Sequence, residues 1–385
     1  MDAVTLQQRY LKLTKAYLLL TGMWPNQNNQ ILPNNCGISY IWHLQQVARV
    51  VRFFSLTVLI QQLGFLLGGI LLLAKQSAYV GHKAKFETLL HGMFNDWEAV
   101  RPKEEVAIMT SYMDRGAFIV LIYAVNVFGC TLLFINMPWL PRIADILMPL
   151  NTSRDRLFII PACYFVDENK YYYWIIAHMT IIIITAGSVY IACDTCFIYI
   201  VQHACGLLGV AGYRFKEAVD EMSKERKIAD LSNETYMKVR RSVQGHVRAL
   251  RYLRDIDDVH ASYLLACLGI VTAAFSATLA LLSELDICLE FYQGLGFLVV
   301  QLMHLFFLTL HGEFVIESND KAYNQIYEGL WYNAAPKAQA LYVLALRASA
   351  AAPQITAGGQ IPMNLETFAV IIKASVSYFT MLKST

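Results

Sequence analysis

Long uncharged runs alternate with short basic stretches along this chain, and the lengths of the runs set its architecture. Phe53 to Ala74 is 22 residues without a charge and Gly116 to Leu140 is 25. At about 1.5 Å per helical residue, each can cross a hydrocarbon core of about 30 Å. Ala261 to Ser283 and Tyr292 to Phe314 read as two further spans. Tyr171 to Tyr213 carries one formal charge, Asp194, in 43 residues. As a helix it measures about 65 Å, twice a bilayer, so it must project well beyond the membrane or break.

The two ends are less regular. Tyr10 to Trp24 predicts a short amphipathic helix on the cytoplasmic surface with its Leu face in the headgroups. Between Asn35 and Phe54 the chain carries His43, Gln45, Gln46, Arg49 and Arg52, a poor span by hydropathy. The C-terminal stretch reads as helix, break, helix: an apolar segment to Ala351, an interruption holding Pro353, Gly358, Gly359 and Pro362, then a last helix from about Glu366. On that helix Val370, Lys373 or Ala374, Ser377, Met381 and Ser384 recur every three or four residues as a small and polar stripe. Such a stripe must face protein or water. Gly64 and Gly68 form a small-xxx-small pair of the kind that packs helices.

Composition turns these runs into a membrane protein: 56% of 385 residues are hydrophobic, 16% are charged, and the mean hydropathy is +0.42. A net charge of +2 gives no polyelectrolyte signal, and nucleic acid is excluded as an expected partner. The basic residues matter by position. Arg214 to Arg254 holds eleven Lys/Arg, which makes this stretch cytoplasmic and the loop from Pro141 to Tyr171 external. The sequon at Asn151, a candidate glycosylation site, agrees; a second at Asn233 falls on the basic side and is outweighed. Lys75 to Arg115, with six Lys/Arg, reads as a soluble connector. Arg9, Lys12 and Lys15 favour an internal N-terminus with no cleaved leader. An extra crossing near Ser39 to Phe53 reconciles the two ends. The fold expected is an all-α membrane protein of seven helices, N-terminus inside, C-terminus outside, with the seventh helix split.

Catalytic and metal chemistry find no support. The eight cysteines are scattered, and Cys193-x-x-Cys196 lies within an apolar run without a second pair, so it reads as packing. Asp255-Ile-Asp-Asp258 with His260 follows Arg248, Arg251 and Arg254 and reads as a solvated helix surface. His304 and His311 share a helix face but no third ligand. Asp114-Arg115 precedes its span, unlike the Asp-Arg-Tyr of G-protein-coupled receptors. No nucleophile elbow or phosphate loop occurs, and no enzyme, cofactor or metal is expected.

From Met23-Trp24-Pro25 to the end, the chain resembles the insect odorant receptor family. The tail carries the resemblance: Arg347, Thr356-Ala-Gly358, Pro362-Met-Asn-Leu-Glu-Thr-Phe368 and Ile371 to Leu382 with Lys373, Ser375, Ser377, Tyr378, Phe379 and Thr380. Glu328-Gly-Leu-Trp-Tyr-Asn333 with Pro336-Lys337, and Asn95-Asp-Trp97, support it. The long internal insertion of the family's shared co-receptor is missing, which implies a ligand-tuned member.

The resemblance implies a ligand-gated cation channel, a hetero-tetramer of odorant-binding and co-receptor subunits, in the plasma membrane of olfactory sensory dendrites. It divides the chain into a cytoplasmic segment at 1–34, an outer ligand-binding bundle at 35–212, an inner anchor at 213–350, and the break with the pore helix at 351–385. Val370, Ala374, Ser377, Met381 and Ser384 become pore-facing, with a helix interface as the other reading. Met381 becomes a candidate apolar gate. A volatile ligand needs an apolar cavity with a few polar groups. Candidates are Gln61 and Phe65; Asn126, Gly129 and Phe134; Tyr173, Ile176, Met179 and Ile183; and Phe275 and Phe297. A seven-helix metabotropic or G-protein-coupled chemoreceptor, or a gustatory-receptor-like channel, is the alternative. No inverted repeat suggests a transporter.

Overall fold

The computed structural model describes residues 3–24, 31–147, 154, 156–219, 228–286 and 289–384. The chain begins with α1 (Ala3–Arg9) and α2 (Lys12–Thr21). α3 (Ile31–Arg52), α4 (Leu56–Gly81), α5 (Lys83–Glu98) and α6 (Lys103–Asn136) follow, and a 3-10 turn at Met137–Trp139 leads to α7 (Leu140–Leu147). Next come α8 (Tyr172–Lys216), α9 (Ile228–Glu284) and α10 (Leu289–Glu328). α11 (Pro336–Ala350), a hairpin of β1 (Thr356–Ala357) and β2 (Ile361–Pro362), and α12 (Leu365–Ser384) complete it. Five stretches among the described residues are long and apolar enough to span a bilayer, one each in α4, α8, α9 and α10 and one running from α6 into α7. α3 and the split pair α11 and α12 complete an all-α membrane bundle of seven segments.

α3 explains why hydropathy undervalues it. Tyr40, Ile41, Leu44, Val47 and Val51 are exposed on its outer face, while Trp42 and Gln46 are buried. Gln46 thus turns inward, where a membrane helix must put it, with His43, Gln45 and Arg49 half-buried and Arg52 exposed at the helix end. Gly69 of α4 admits this helix: a Cβ there would collide with His43 Nε2 and stand 2.6 Å from the Trp42 ring.

The long helix is unbroken. α8 runs 45 residues, about 67 Å, and every residue from Ile191 to Gly212 is buried. A helix apolar all round is surrounded on all sides. Here the second half is sheathed by α6, α9 and α10 rather than by lipid, which is why its sequence reads as twice a bilayer.

Lys75 to Arg115 departs from the expected soluble connector. α4 continues through Lys75 to Gly81, and Lys75 is wholly buried. α5 packs Phe86, Leu89, Leu90, Met93 and Trp97 into the main core. Asp96 accepts from Arg101 Nη2 at 3.2 Å and from Arg248 Nε at 3.2 Å, with His203 Nε2 at 3.2 Å. Burial opposes ionisation of Asp96, yet His203 and Arg248 outweigh it and hold the carboxyl below its ordinary range. Beside it, Arg214 grips Glu105 in a two-pronged pair at 2.7 and 2.6 Å. α11 closes this end: Tyr342 donates to the Phe215 carbonyl at 2.6 Å, and Gly329 leaves room, because a Cβ would meet that oxygen at 2.8 Å.

α2 also differs from the reading of a helix resting on headgroups. Leu11, Thr14, Leu18 and Thr21 are buried, and Thr14 Oγ1 donates to Thr195 Oγ1 of α8 at 2.8 Å, so this face docks on protein; Leu20 faces outward.

The break in the seventh helix is a built structure. Gly358 and Gly359 take φ of +65° and +73° in the hairpin turn, a region open to glycine at no steric cost. Asp257 of α9 accepts from the Thr356 N–H at 2.7 Å and its hydroxyl at 2.9 Å. Asp257 is therefore a pin for the hairpin, not the solvated surface charge expected. Gly358 N–H donates to Ala261 O at 2.9 Å. Asn364 accepts from Thr367 N–H at 2.9 Å and caps α12.

Candidate ligand cavity and outward-facing last helix

One stripe from each of α4, α6, α8, α9 and α10 encloses a cavity of about 220 Å³. The spacing is helical on every wall: Tyr123, Asn126 or Val127, Cys130 and Phe134 on α6; Phe297, Val300 or Gln301, and His304 on α10; Ile183, Ala186 or Gly187, and Tyr190 on α8. Small residues make the space. Gly68, Ala186, Gly187 and Ala274 line it where larger side chains would narrow it. Its upper end is aromatic. Phe297 lies 5.1 Å from Phe65 and 6.3 Å from Phe134 between ring centroids, with Trp42 of α3 and Ile160 at the same cavity.

Its floor is polar, a feature that none of the sequence candidates includes. Tyr123, Tyr190 and His304 form the lower wall around a buried ion pair. Lys75 Nζ donates to Asp194 at 2.5 Å, Tyr123 donates its hydroxyl to the same carboxylate, and His304 Nδ1 stands 3.6 Å away. The Lys75 ammonium also lies 4.3 Å above the Tyr190 ring. A signal existed in the sequence: a lone Asp in a 43-residue apolar run requires a partner, and Lys75 closes the neighbouring uncharged run. Cys193 and Cys196 beside Asp194 are buried free thiols, and no metal-binding cluster occurs among the described residues.

Five of the eleven expected ligand residues line this cavity: Phe65, Asn126, Phe134, Ile183 and Phe297. The other six lie elsewhere. Ile176 and Met179 are buried in a second core cluster with Trp42 and Ile160. Tyr173 is exposed, stacked near Trp139 at 6.4 Å with Arg142 over its ring. Gly129 is exposed, with nothing within 4 Å of where a Cβ would sit. Gln61 is half-buried outside the lining, and Phe275 is buried in packing. Two causes operate: Gly129 and Phe275 adjoin the lining residues Cys130 and Ala274 but face another way, whereas Gln61, Ile176 and Met179 share the stripes of Phe65 and Ile183 and lie a turn or two beyond the end of the lining. Gly64 packs against Phe297, 3.1 Å from a Cβ position, as the helix-packing reading expects.

The stripe on α12 is largely exposed and borders a groove in which Val370 and Met381 meet Leu63 of α4 and Leu265 of α9. Val370, Ser377 and Met381 are exposed, Ala374 is half-buried, and the Ser384 side chain lies outside the described residues. Lys373 shares the exposed face with Val370 and Ser377 instead of a neighbouring one. The adjoining face, Thr367, Ile371 and Ser375, is buried. Asn151 lies outside the described residues.

Two solved structures are similar along the whole chain. An insect olfactory receptor, OR5 from Machilis hrabei in complex with eugenol, superposes with a TM-score of 0.80 at 15% identity, covering 100% of both chains. The same receptor in a second structure gives 0.76 at 15% identity over 99% of both. No curated protein sequence matches. A family profile described as 7tm Odorant receptor matches residues 51–376. By that match over most of its length, this chain belongs to the 7tm odorant receptor family.

Proposed function

We propose that this receptor is the odorant-binding subunit of a ligand-gated, non-selective cation channel, assembled as a hetero-tetramer with co-receptor subunits. The N-terminus is inside, the C-terminus is outside, and the complex sits in the plasma membrane of olfactory sensory dendrites. The cavity is the odorant site. Its size supports this: an apolar cavity of about 150 Å³ takes benzene, so about 220 Å³ suits a single ring with a short tail. The similar OR5 structure is a complex with eugenol. The observation that carries the channel reading is the exposed α12 face, which includes Val370, Ser377 and Met381 while the adjoining face of Thr367, Ile371 and Ser375 is buried. Four such faces around an axis make a pore, and Met381 at its outer end is the apolar constriction.

Two measurements test the proposal. An epitope after Thr385 should label on intact cells; labelling at Met1 instead would favour the metabotropic alternative and sink this one. Met381→Ala, co-expressed with the co-receptor, should change basal current or ion selectivity, and unchanged currents would remove the stripe from the pore.

A further inference from the structure

The cavity wall is apolar at most positions, and one of its polar residues has a hydrogen-bonding requirement the protein leaves unmet. Gln301 on α10 is 8% exposed and lies at the wall. Its Nε2 stands 3.2 Å from Thr278 Oγ1 of α9. Proton counting fixes which end of the amide faces Thr278. The Thr278 hydroxyl gives its proton to the Ala274 carbonyl at 2.8 Å, so only lone pairs remain on Oγ1 for Gln301. Nε2 must point at Thr278, and Oε1 is the end left over. That oxygen is buried and finds no donor among the described residues.

A buried acceptor without a donor is destabilising, and at a cavity wall the occupant can supply one. Rotation about the terminal torsion of glutamine is soft and moves both amide atoms together, so Oε1 reaches a donor in the cavity by a small turn of the amide, with the 3.2 Å contact from Nε2 to Thr278 lengthening. We propose that the receptor is tuned to hydroxyl-bearing volatiles, alcohols or phenols, whose O–H donates to Gln301 Oε1. The proposal rests on reading the cavity as the odorant site. Asn126 on α6, the other amide at the wall, carries a donor of the kind a hydroxyl oxygen accepts from. An ammonium donor would have to shed its hydration among Phe65, Phe134 and Phe297, which disfavours amines.

The test uses matched series on three frames, with the co-receptor present. These are 2-phenylethanol, its methyl ether and propylbenzene; 2-cyclohexylethanol, its methyl ether and propylcyclohexane; and 1-octanol, its methyl ether and nonane. On at least one frame the alcohol should open the channel at concentrations about tenfold or more below its ether and hydrocarbon. Gln301→Leu and Gln301→Met should erase that preference. Should neither variant reach the surface, Thr278→Val is the second readout: it frees the amide to present Nε2, so ethers gain on alcohols. An unchanged ranking there, or a preference surviving in either Gln301 variant, overturns the proposal. If ethers and hydrocarbons match the alcohols in the unmodified receptor, this inference alone fails; if none of the nine opens the channel, the odorant reading of the cavity fails with it.

Discussion

Replacing Lys75 by methionine keeps an unbranched stem and removes the charge 2.5 Å from Asp194. Lys75 is wholly buried, and the Asp194 side chain is 10% exposed. The remaining carboxylate would keep only the Tyr123 hydroxyl and His304 at 3.6 Å. Stranding one member of a buried pair costs about 3–5 kcal/mol, much of it the desolvation of the partner left behind. That lowers the ratio of folded to misfolded receptor by two to four orders of magnitude, on the scale where about 1.4 kcal/mol is tenfold. Surface labelling of co-expressed complexes and thermal melts of the solubilised assembly read the loss. Asp194→Asn and the double variant complete a cycle. Removing both charges leaves nothing uncompensated, and neutral replacement of a buried pair is often tolerated, so the double variant should stand closer to the unmodified receptor than Lys75→Met does. A coupling of at least about 2 kcal/mol is expected. Additive singles, or a Lys75→Met receptor as stable as its parent, would refute the reasoning.

Further outcomes follow from the same geometry. Gly358→Ala forces a side chain into left-handed backbone, about 1–2 kcal/mol, and drives its Cβ to 2.7 Å from Leu265 Cδ2; Gly359→Ala meets only the backbone term, because nothing lies within 4 Å. Surface expression should therefore fall further for Gly358→Ala, and equal losses would contradict the hairpin docking. Asp96 has a lowered folded-state pKa, so its stabilisation is present above its unfolded value of about 3.9 and lost as pH falls through the folded value. Melts should show Asp96 contributing evenly from about pH 8 to 5 and losing its effect below about 4, with Asp96→Asn destabilised in the neutral range. Ala186→Phe should fill part of the cavity and raise the effective concentration of ring-sized agonists about tenfold or more while sparing surface expression. Unchanged dose–response curves would remove the cavity from ligand recognition.

Helix number and the split in the last segment were legible because length against bilayer thickness and the Pro/Gly cluster are local signals. α3 was legible only as a requirement of topology. Its average hydropathy mixes an apolar outer face, Leu44 and Val51 among it, with the inward Gln46, and only a face-resolved reading separates them. The cavity was half legible for a related reason. Phe65, Asn126, Phe134, Ile183 and Phe297 have the right depth and phase, whereas Gly129 has the depth without the phase and Ile176 has the phase without the depth. The floor required pairing residues 119 apart in sequence, Lys75 and Asp194, and Asp257 needed Thr356 from 99 residues away. Charge and helix period place a residue on a face; they do not say which distant side chain meets it.

The cavity and α12 touch opposite sides of the same two helices. On α9, Val271 and Ala274 wall the cavity, and the Ser276 hydroxyl shares its one proton between the Thr272 carbonyl at 2.8 Å and Ser375 O of α12 at 3.1 Å. On α10, Gln301 and His304 wall the cavity, while the Phe306 ring lies 5.8 Å from Phe368 and Glu313 accepts from Leu365 N–H at 3.2 Å. Adjacency alone does not establish coupling; an energetic test does. Ala274→Val presses on the ligand side of α9, and Ser276→Ala removes its side-chain hold on α12. If α9 transmits as a rigid rod, the shift in agonist sensitivity caused by Ala274→Val should differ by about fivefold or more with and without Ser276, equivalent to about 1 kcal/mol of coupling. Independent effects on sensitivity and basal current would refute transmission through α9.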